Sequence, residues 1–242
     1  VQNRRKGITY AVKKAGNAVG YCALSICVGT RDEGEFHEGI AHFVEHTLFK
    51  GTSQRNTKSI NDCLEKLGGE LNAFTTKEEI VLHATVLKEH LEKAAALLME
   101  IAFDAQFPEE EIEVEKGVVI DEIASYKDSP SEDVYDSFEE KIFKGHALSR
   151  SILGTEESVR AITSEELRRF KEAFFTPDRM AFTMVSPLSE NKMRSIIAKV
   201  AAKYNLELRG TSGCGIRPRP AKFFSAGKTS FNESVDKDNV SG

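Results

Sequence analysis

The chain has 242 residues, of which 40% are hydrophobic and 29% charged, and its formal net charge is −5. This length holds one large domain or two small ones, and the mild acidity with interspersed Lys and Arg excludes a dedicated basic surface, so no nucleic-acid partner is expected. No apolar run approaches the roughly 20 residues of a membrane-spanning helix, so no membrane partner is expected either.

The segment from Val1 to Lys14 is basic but leads into no long apolar stretch, so it does not read as a signal peptide. The chain starts without Met, which leaves room for a removed leader. Cysteines stand at positions 22, 27, 63 and 214, with no CxxC pair. Cys22 and Cys27 have opposite parity in a strand-like run and should face opposite sides of a sheet. A disulfide framework is therefore not expected, and a reducing, cytoplasmic setting is.

Residues 7–14 and 18–29 alternate as two strands, with Leu24, Ile26 and Val28 on one face. Gly16-Asn17 between them reads as a hairpin turn. After a polar loop over 30–38 the period changes: Ile40, Phe43, Val44 and Leu48 recur at helical spacing, with Gly51 as a stop. A second helix is expected near 57–67, ended by Gly68-Gly69, followed by strands near 70–75 and 79–87. Helices follow over 90–103, from Pro108 to about Tyr126, and over 131–143, where Val134, Phe138 and Ile142 form an apolar stripe. Thr155 and Thr163 read as N-caps, the second completing a capping box with Glu166. A strand at 180–186 and a helix at 190–203 complete the regular elements. Beyond Tyr204 the composition turns to Gly, Ser, Pro, Asn and Asp, so 1–205 reads as the folded domain and 206–242 as a linker or tail. Neighbouring strand pairs and separate helices predict an α+β fold, an antiparallel sheet with helices packed on one face.

The chemistry centres on His42-Phe43-Val44-Glu45-His46. On a helix, positions i, i+3 and i+4 share a face, so both imidazoles and the carboxylate project together. Two histidines one turn apart can chelate one ion, while the acid between them can reach a water on that ion. Ile40, Phe43, Val44 and Leu48 would anchor the opposite side in a core. A catalytic zinc usually takes three protein ligands and keeps an open position. The best source of a third ligand is the acidic segment 111–122. Glu115 and Glu122 lie two turns apart, about 10 Å along the axis, so one would ligate and the other would act behind a ligand. Glu115 also fits an ordinary acid near a helix start. The remaining histidines, at 37, 83, 90 and 146, read as loop, strand or helix-end residues.

The HxxEH order resembles the inverzincin signature of the pitrilysin/insulinase family of zinc peptidases, which includes the mitochondrial processing peptidases. Glu122 stands 76 positions beyond His46, where that family carries its third ligand, and Glu115 stands seven before it, at a further family Glu. Gly68-Gly69-Glu70-Leu71-Asn72-Ala73-Phe74-Thr75 is similar to the family's substrate strand, and Ile152-Leu153-Gly154-Thr155-Glu156 and Phe175-Thr176-Pro177 look like further landmarks. The resemblance covers about residues 5–205 and implies a processing-peptidase-like metallohydrolase half. It implies Zn2+, one ion per catalytic half, held by His42, His46 and Glu122, with Glu45 as general base. It also implies Glu115 as a supporting acid, and the backbone of Asn72, Ala73 and Phe74 as the binder of an extended peptide substrate. Two departures stand out. Leu82-His83 replaces the usual aromatic pair, and the second homologous half that normally closes over substrate has no counterpart here. The tail resembles an inter-half linker, so the sequence reads as part of a longer protein whose isolated first half would be weakly active or inactive. A subunit that keeps the metal without turnover is the alternative reading.

Overall fold

The computed structural model describes residues 7–16 and 18–210. Strands β1 (Gly7–Lys14), β2 (Val19–Ile26), β3 (Glu70–Thr75), β4 (Ile80–Leu87), β5 (Met180–Ser186) and β6 (Glu207–Gly210) form one sheet in the order β3-β4-β2-β5-β1-β6. Helices α1 (Ile40–Leu48), α2 (Thr57–Glu65), α3 (Leu91–Asp104), α4 (Glu109–Asp128), α5 (Pro130–Ile142), α6 (Glu156–Ala161), α7 (Ser164–Phe174) and α8 (Glu190–Ala202) complete the described elements.

The α+β class is as expected, but the sheet is mixed. β3, β4, β2 and β5 pair antiparallel in succession, whereas β1 runs parallel to both β5 and β6. The expected β1–β2 hairpin is absent. β5 lies between the two strands, pairing Leu24 with Phe182 on one side and Tyr10 with Phe182 on the other. A two-residue turn can join only adjacent antiparallel strands, and here a strand from about 160 residues further along occupies the intervening position. Asn17 of the presumed turn lies outside the described residues. β6 occupies part of the segment read from composition as linker, and the rest of that segment, with Cys214, lies outside the described residues.

Alternation sorts the sheet into a covered and an open face. Cys22, Leu24, Ile26, Leu82, Ala84, Phe182 and Met184 are buried on the covered face, against α3 and α8. Tyr21, Ala23, His83, Thr85 and Thr183 point the other way, and none is buried. Cys22 is buried, Cys27 half-buried, and both thiols are free, as is that of Cys63. No helix among the described residues is long and apolar enough to cross a membrane.

Local signals set most boundaries. Asn56, Thr155, Thr163 and Ser189 each cap a helix by accepting a backbone N–H. The reciprocal capping box forms at Thr155 and Ser158, not at Thr163. Glu166, expected to close that box, instead accepts from the backbone N–H of His37 and lies 2.9 Å from its Nδ1, a long-range contact that ties the loop before α1 to α7. The apolar stripe of α5 does form on a helix, but Val134 and Phe138 are each 60% exposed, so it joins no core among the described residues.

Candidate metal centre

α1 is anchored by Ile40, Phe43, Val44 and Leu48, all fully buried. At roughly 1.5–3 kcal/mol for each such side chain removed from water, this face is sufficient to hold the helix against the core. The opposite face presents His42, Glu45 and His46 together. α4 runs alongside, starting after Pro108 with three glutamates in its first turn, where the helix dipole favours acids. Its buried residues Ile112, Glu115, Val119 and Ile123 form the contact stripe, and Glu122 lies beside Val119 and Glu115 on the same side.

Ligand atoms of His42, His46 and Glu122 all come within 4.8 Å of one another. His46 Nε2 is 3.2 Å from His42 Nε2, Glu122 Oε2 is 3.5 Å from His46 Nε2, and it is 3.7 Å from His42 Nε2. A tetrahedral ion with bonds of about 2.0–2.1 Å requires ligand separations of roughly 3.3–3.4 Å. The three observed edges bracket that value, so the residues present fit a zinc ion. Two imidazole nitrogens and a carboxylate are also the donor types such an ion takes.

The groups behind these atoms set their protonation. Burial and the neighbouring His46 push His42 down to about 3, so its ring is neutral and has a lone pair to offer. Burial alone would lower His46, but its hydrogen bond to Glu115 and the carboxylates of Glu45, Glu115 and Glu122 outweigh that and leave it raised. Glu115 is buried; its Oε1 lies 2.8 Å from His46 Nδ1 and its Oε2 lies 2.5 Å from Lys50 Nζ. Burial raises this carboxyl, yet His46 and Lys50 overcome it and hold it below its ordinary value. A proton on Nδ1 donated to Glu115 directs the free lone pair of His46, on Nε2, toward His42 and Glu122.

Glu45 stands apart from the three-residue group, with Thr75 Oγ1 donating to its Oε2 at 2.5 Å. Burial lifts Glu45 above the usual carboxylate range; the Thr75 hydroxyl and His46 oppose this, and Glu122 adds to it. A cleft of about 290 Å³ opens at this point between α1, β3 and α4, with Ile152 and Leu153 on its rim. Among the described residues β3 pairs only with β4, which makes it an edge strand beside the cleft. Asn72 and Phe74 are exposed on it, Ala73 is half-buried, and the Asn72 carboxamide accepts from the Ala73 N–H.

His83 pairs in register with Asn72 on the open face, where its ring lies 6.1 Å from that of Phe74, and it does not reach the metal-type cluster. His37 is held by Glu166, and His146 caps its own turn by accepting from the Leu148 N–H. Sequence reasoning missed Thr75 and Lys50. Lys50 carried a signal only in its spacing, four residues after His46, although it stands just past the end of α1. Thr75 carried only its parity, opposite to Asn72 and Phe74 and hence toward α1.

The first turn of α1 is also fixed by close backbone packing. Gly154 has φ +72°, and a Cβ there would lie 2.3 Å from the carbonyl oxygen of Glu38. Gly154→Ala is expected to cost about 2–5 kcal/mol, combining left-handed strain with overpacking. Urea unfolding of the variant measures this directly.

A family description, Insulinase (Peptidase family M16), matches residues 9–156. The chain belongs to the insulinase family, peptidase family M16. The M16 chain is 35% identical over 176 residues to the uncharacterised zinc protease YmxG of Bacillus subtilis, covering 72% of this chain and 43% of that protein. An uncharacterised zinc protease of Rickettsia bellii is 32% identical over 210 residues, with 87% and 49% covered. The M16 chain thus spans under half the length of these curated relatives. Among solved structures, the periplasmic protease PqqL of Escherichia coli aligns with TM-score 0.75 at 23% identity, over 88% of this chain and 24% of that one. An M16 domain of Pseudomonas fluorescens described as inactive aligns with TM-score 0.74 at 20% identity, over 81% and 48%. These two likenesses concern the fold.

Proposed function

We propose that the M16 chain is the catalytic first half of a zinc endopeptidase that hydrolyses extended peptides or small unfolded proteins. The observation that carries this reading is the convergence of His42, His46 and Glu122 at tetrahedral spacing with Glu45 beside them. His42, His46 and Glu122 would hold the ion. When bound, zinc supplies Lewis acidity that draws the pKa of a water toward about 7 and polarises a carbonyl. Glu45 takes the proton of the attacking water and passes it to the leaving amine. Its Oε2 is engaged by Thr75, which leaves Oε1 for the proton. Glu115, neutralised by Lys50, holds the His46 ring in one tautomer. The free edge of β3 from Asn72 to Phe74 takes the substrate as an added strand, through main-chain hydrogen bonds.

The length of the relatives supports a second homologous half, with 1–205 as the catalytic domain and the following residues leading toward that half. The experiment is cleavage of fluorogenic peptides by the full-length protein, with and without chelator. Cleavage that survives complete zinc removal overturns the reading. A non-catalytic, metal-retaining subunit is the second reading, favoured by the inactive domain among the structural neighbours. Against it stands Glu45, which such a subunit has no need to keep.

Thr75→Val tests the placement of the base. The loss of a hydrogen bond to a charged group, about 1.5–3 kcal/mol, is expected to lower kcat roughly 10- to 100-fold. Zinc content should stay unchanged, and Thr75→Ser should restore turnover.

A further inference from the structure

The helix that presents His42, Glu45 and His46 starts without a cap of its own. Its N-cap is Gly39, at φ +84°, which offers no side-chain acceptor. The first turn of any helix leaves backbone N–H groups unpaired, and Ser, Thr, Asp or Asn at the N-cap is the usual remedy. Position 39 is closed to that remedy. A Cβ there would lie 2.5 Å from the carbonyl oxygen of Leu153 and 2.9 Å from the Cα of Gly154.

The missing acceptor arrives from Glu33, six residues upstream. Its Oε1 accepts from the Gly39 N–H at 3.0 Å and from the Ala41 N–H at 3.3 Å. Glu33 is fully buried, and its Oε2 has no hydrogen-bond partner among the described residues. A carboxyl in such a place is costly, since a buried polar atom left unpaired loses its hydration without replacement. Burial pushes this carboxyl up to about 8, against the Ala41 N–H, Arg150 and the Gly39 N–H, with Glu38 adding to the rise, so it is largely protonated at neutral pH. It can therefore act as a hydrogen-bond acceptor through Oε1 without carrying full charge. The approach to the helix is tied a second time where Ser158 Oγ donates to the Glu38 carbonyl at 2.7 Å.

The consequence falls on His42. It is the third residue of a nine-residue helix and so lies in the turn most prone to fraying. His46, one turn deeper, has Glu115 to hold its ring, whereas His42 Nδ1 is buried with no hydrogen-bond partner among the described residues. The His42 ring meets His46 and approaches Glu122, both members of the same site, so its placement depends on the backbone of the first turn.

We propose that Glu33 is a positioning residue for the metal centre: by capping the first turn of α1 in place of Gly39, it keeps His42 in register with His46 and Glu122. This rests on the reading of those three residues as a zinc site.

The test measures zinc affinity of the 242-residue chain by competition with a chromogenic chelator, alongside thermal unfolding of the metal-free protein. Glu33→Gln keeps the acceptor and is expected to bind zinc within about threefold of the parent chain. Glu33→Leu keeps the approximate bulk but not the acceptor and is expected to weaken zinc at least tenfold. Ile196→Ala, a buried cavity variant on α8 remote from the site, controls for lost stability and should leave the affinity of the folded protein unchanged. If Glu33→Leu does not fold, Glu33→Asp, whose acceptor is drawn back by one methylene, is held to the same tenfold criterion. Parental affinity in Glu33→Leu, or equal weakening in Glu33→Gln and Glu33→Leu, overturns the capping role while the zinc site stands. Failure of the parent chain to take up zinc overturns the site and this inference together.

Discussion

Glu45→Gln in the full-length protein is expected to lower peptide cleavage by about 10²- to 10⁴-fold, the usual contribution of a positioned general base, while zinc uptake changes little. The amide fills the space of the carboxylate and can still accept the Thr75 hydroxyl at Oε2's position, so the local packing has no reason to shift. What it lacks is the ability to take a proton. Burial already holds the Glu45 carboxyl above its ordinary value, closer to the range in which a base can both accept a proton from water and release it to an amine. Glu45 is not one of the three grouped ligand residues, which is why its loss should spare the metal. Cleavage of an internally quenched peptide, paired with zinc content per chain, separates the two effects. Undiminished cleavage by a zinc-loaded Glu45→Gln protein assigns the base elsewhere.

Glu122→Gln is expected to abolish most of the zinc-dependent stabilisation of the chain. A ligand present at 100 times its Kd stabilises the folded state by about 2.7 kcal/mol, which for a domain of this size corresponds to roughly 5–11 °C in Tm. The parent chain should show a rise of this order on zinc addition, reversed by chelator. With the Glu122 carboxylate gone, only the two imidazole nitrogens 3.2 Å apart remain to hold the ion. Lys50→Met provides a graded comparison. It leaves all three ligands and Glu115 in place but removes the ammonium group from Glu115, so its effect should fall below the roughly 10- to 100-fold typical of losing a group bonded directly to a ligand. Differential scanning fluorimetry across a zinc series should therefore rank parent, Lys50→Met and Glu122→Gln in that order. Equal stabilisation of parent and Glu122→Gln removes this carboxylate from the site.

Much of the local structure was legible in the chain. The 3.6-residue recurrence of Ile40, Phe43, Val44 and Leu48 defines α1, and all four are buried as the period requires. Gly68-Gly69 ends the second helical segment, and the pairs of β-rich runs on either side of Thr76 become β3 and β4. The failures share a cause. A Gly-Asn dipeptide favours a hairpin, but strand neighbours are chosen by the faces they can bury, and Phe182 and Met184 of β5 fit between β1 and β2. Spacing alone offers a capping box at Thr163, but the Glu166 carboxylate meets His37 across the fold. In both cases a partner more than 100 residues away displaced the local one.

For the candidate site the division is similar. Residue types at helical intervals were enough to put two imidazoles and an acid on one face of one helix, because the geometry of a single turn is set by the backbone and needs no other part of the chain. Composition and periodicity likewise determined that the protein is an α+β molecule, with buried apolar faces on most of its elements but not on α5. Which acid from α4 approaches the pair, which hydroxyl meets Glu45, and which carboxyl caps α1 were decided only when the sheet and helices packed. Those contacts join positions between 6 and 80 residues apart, and their formation depends on the burial of apolar faces elsewhere, which local spacing does not encode.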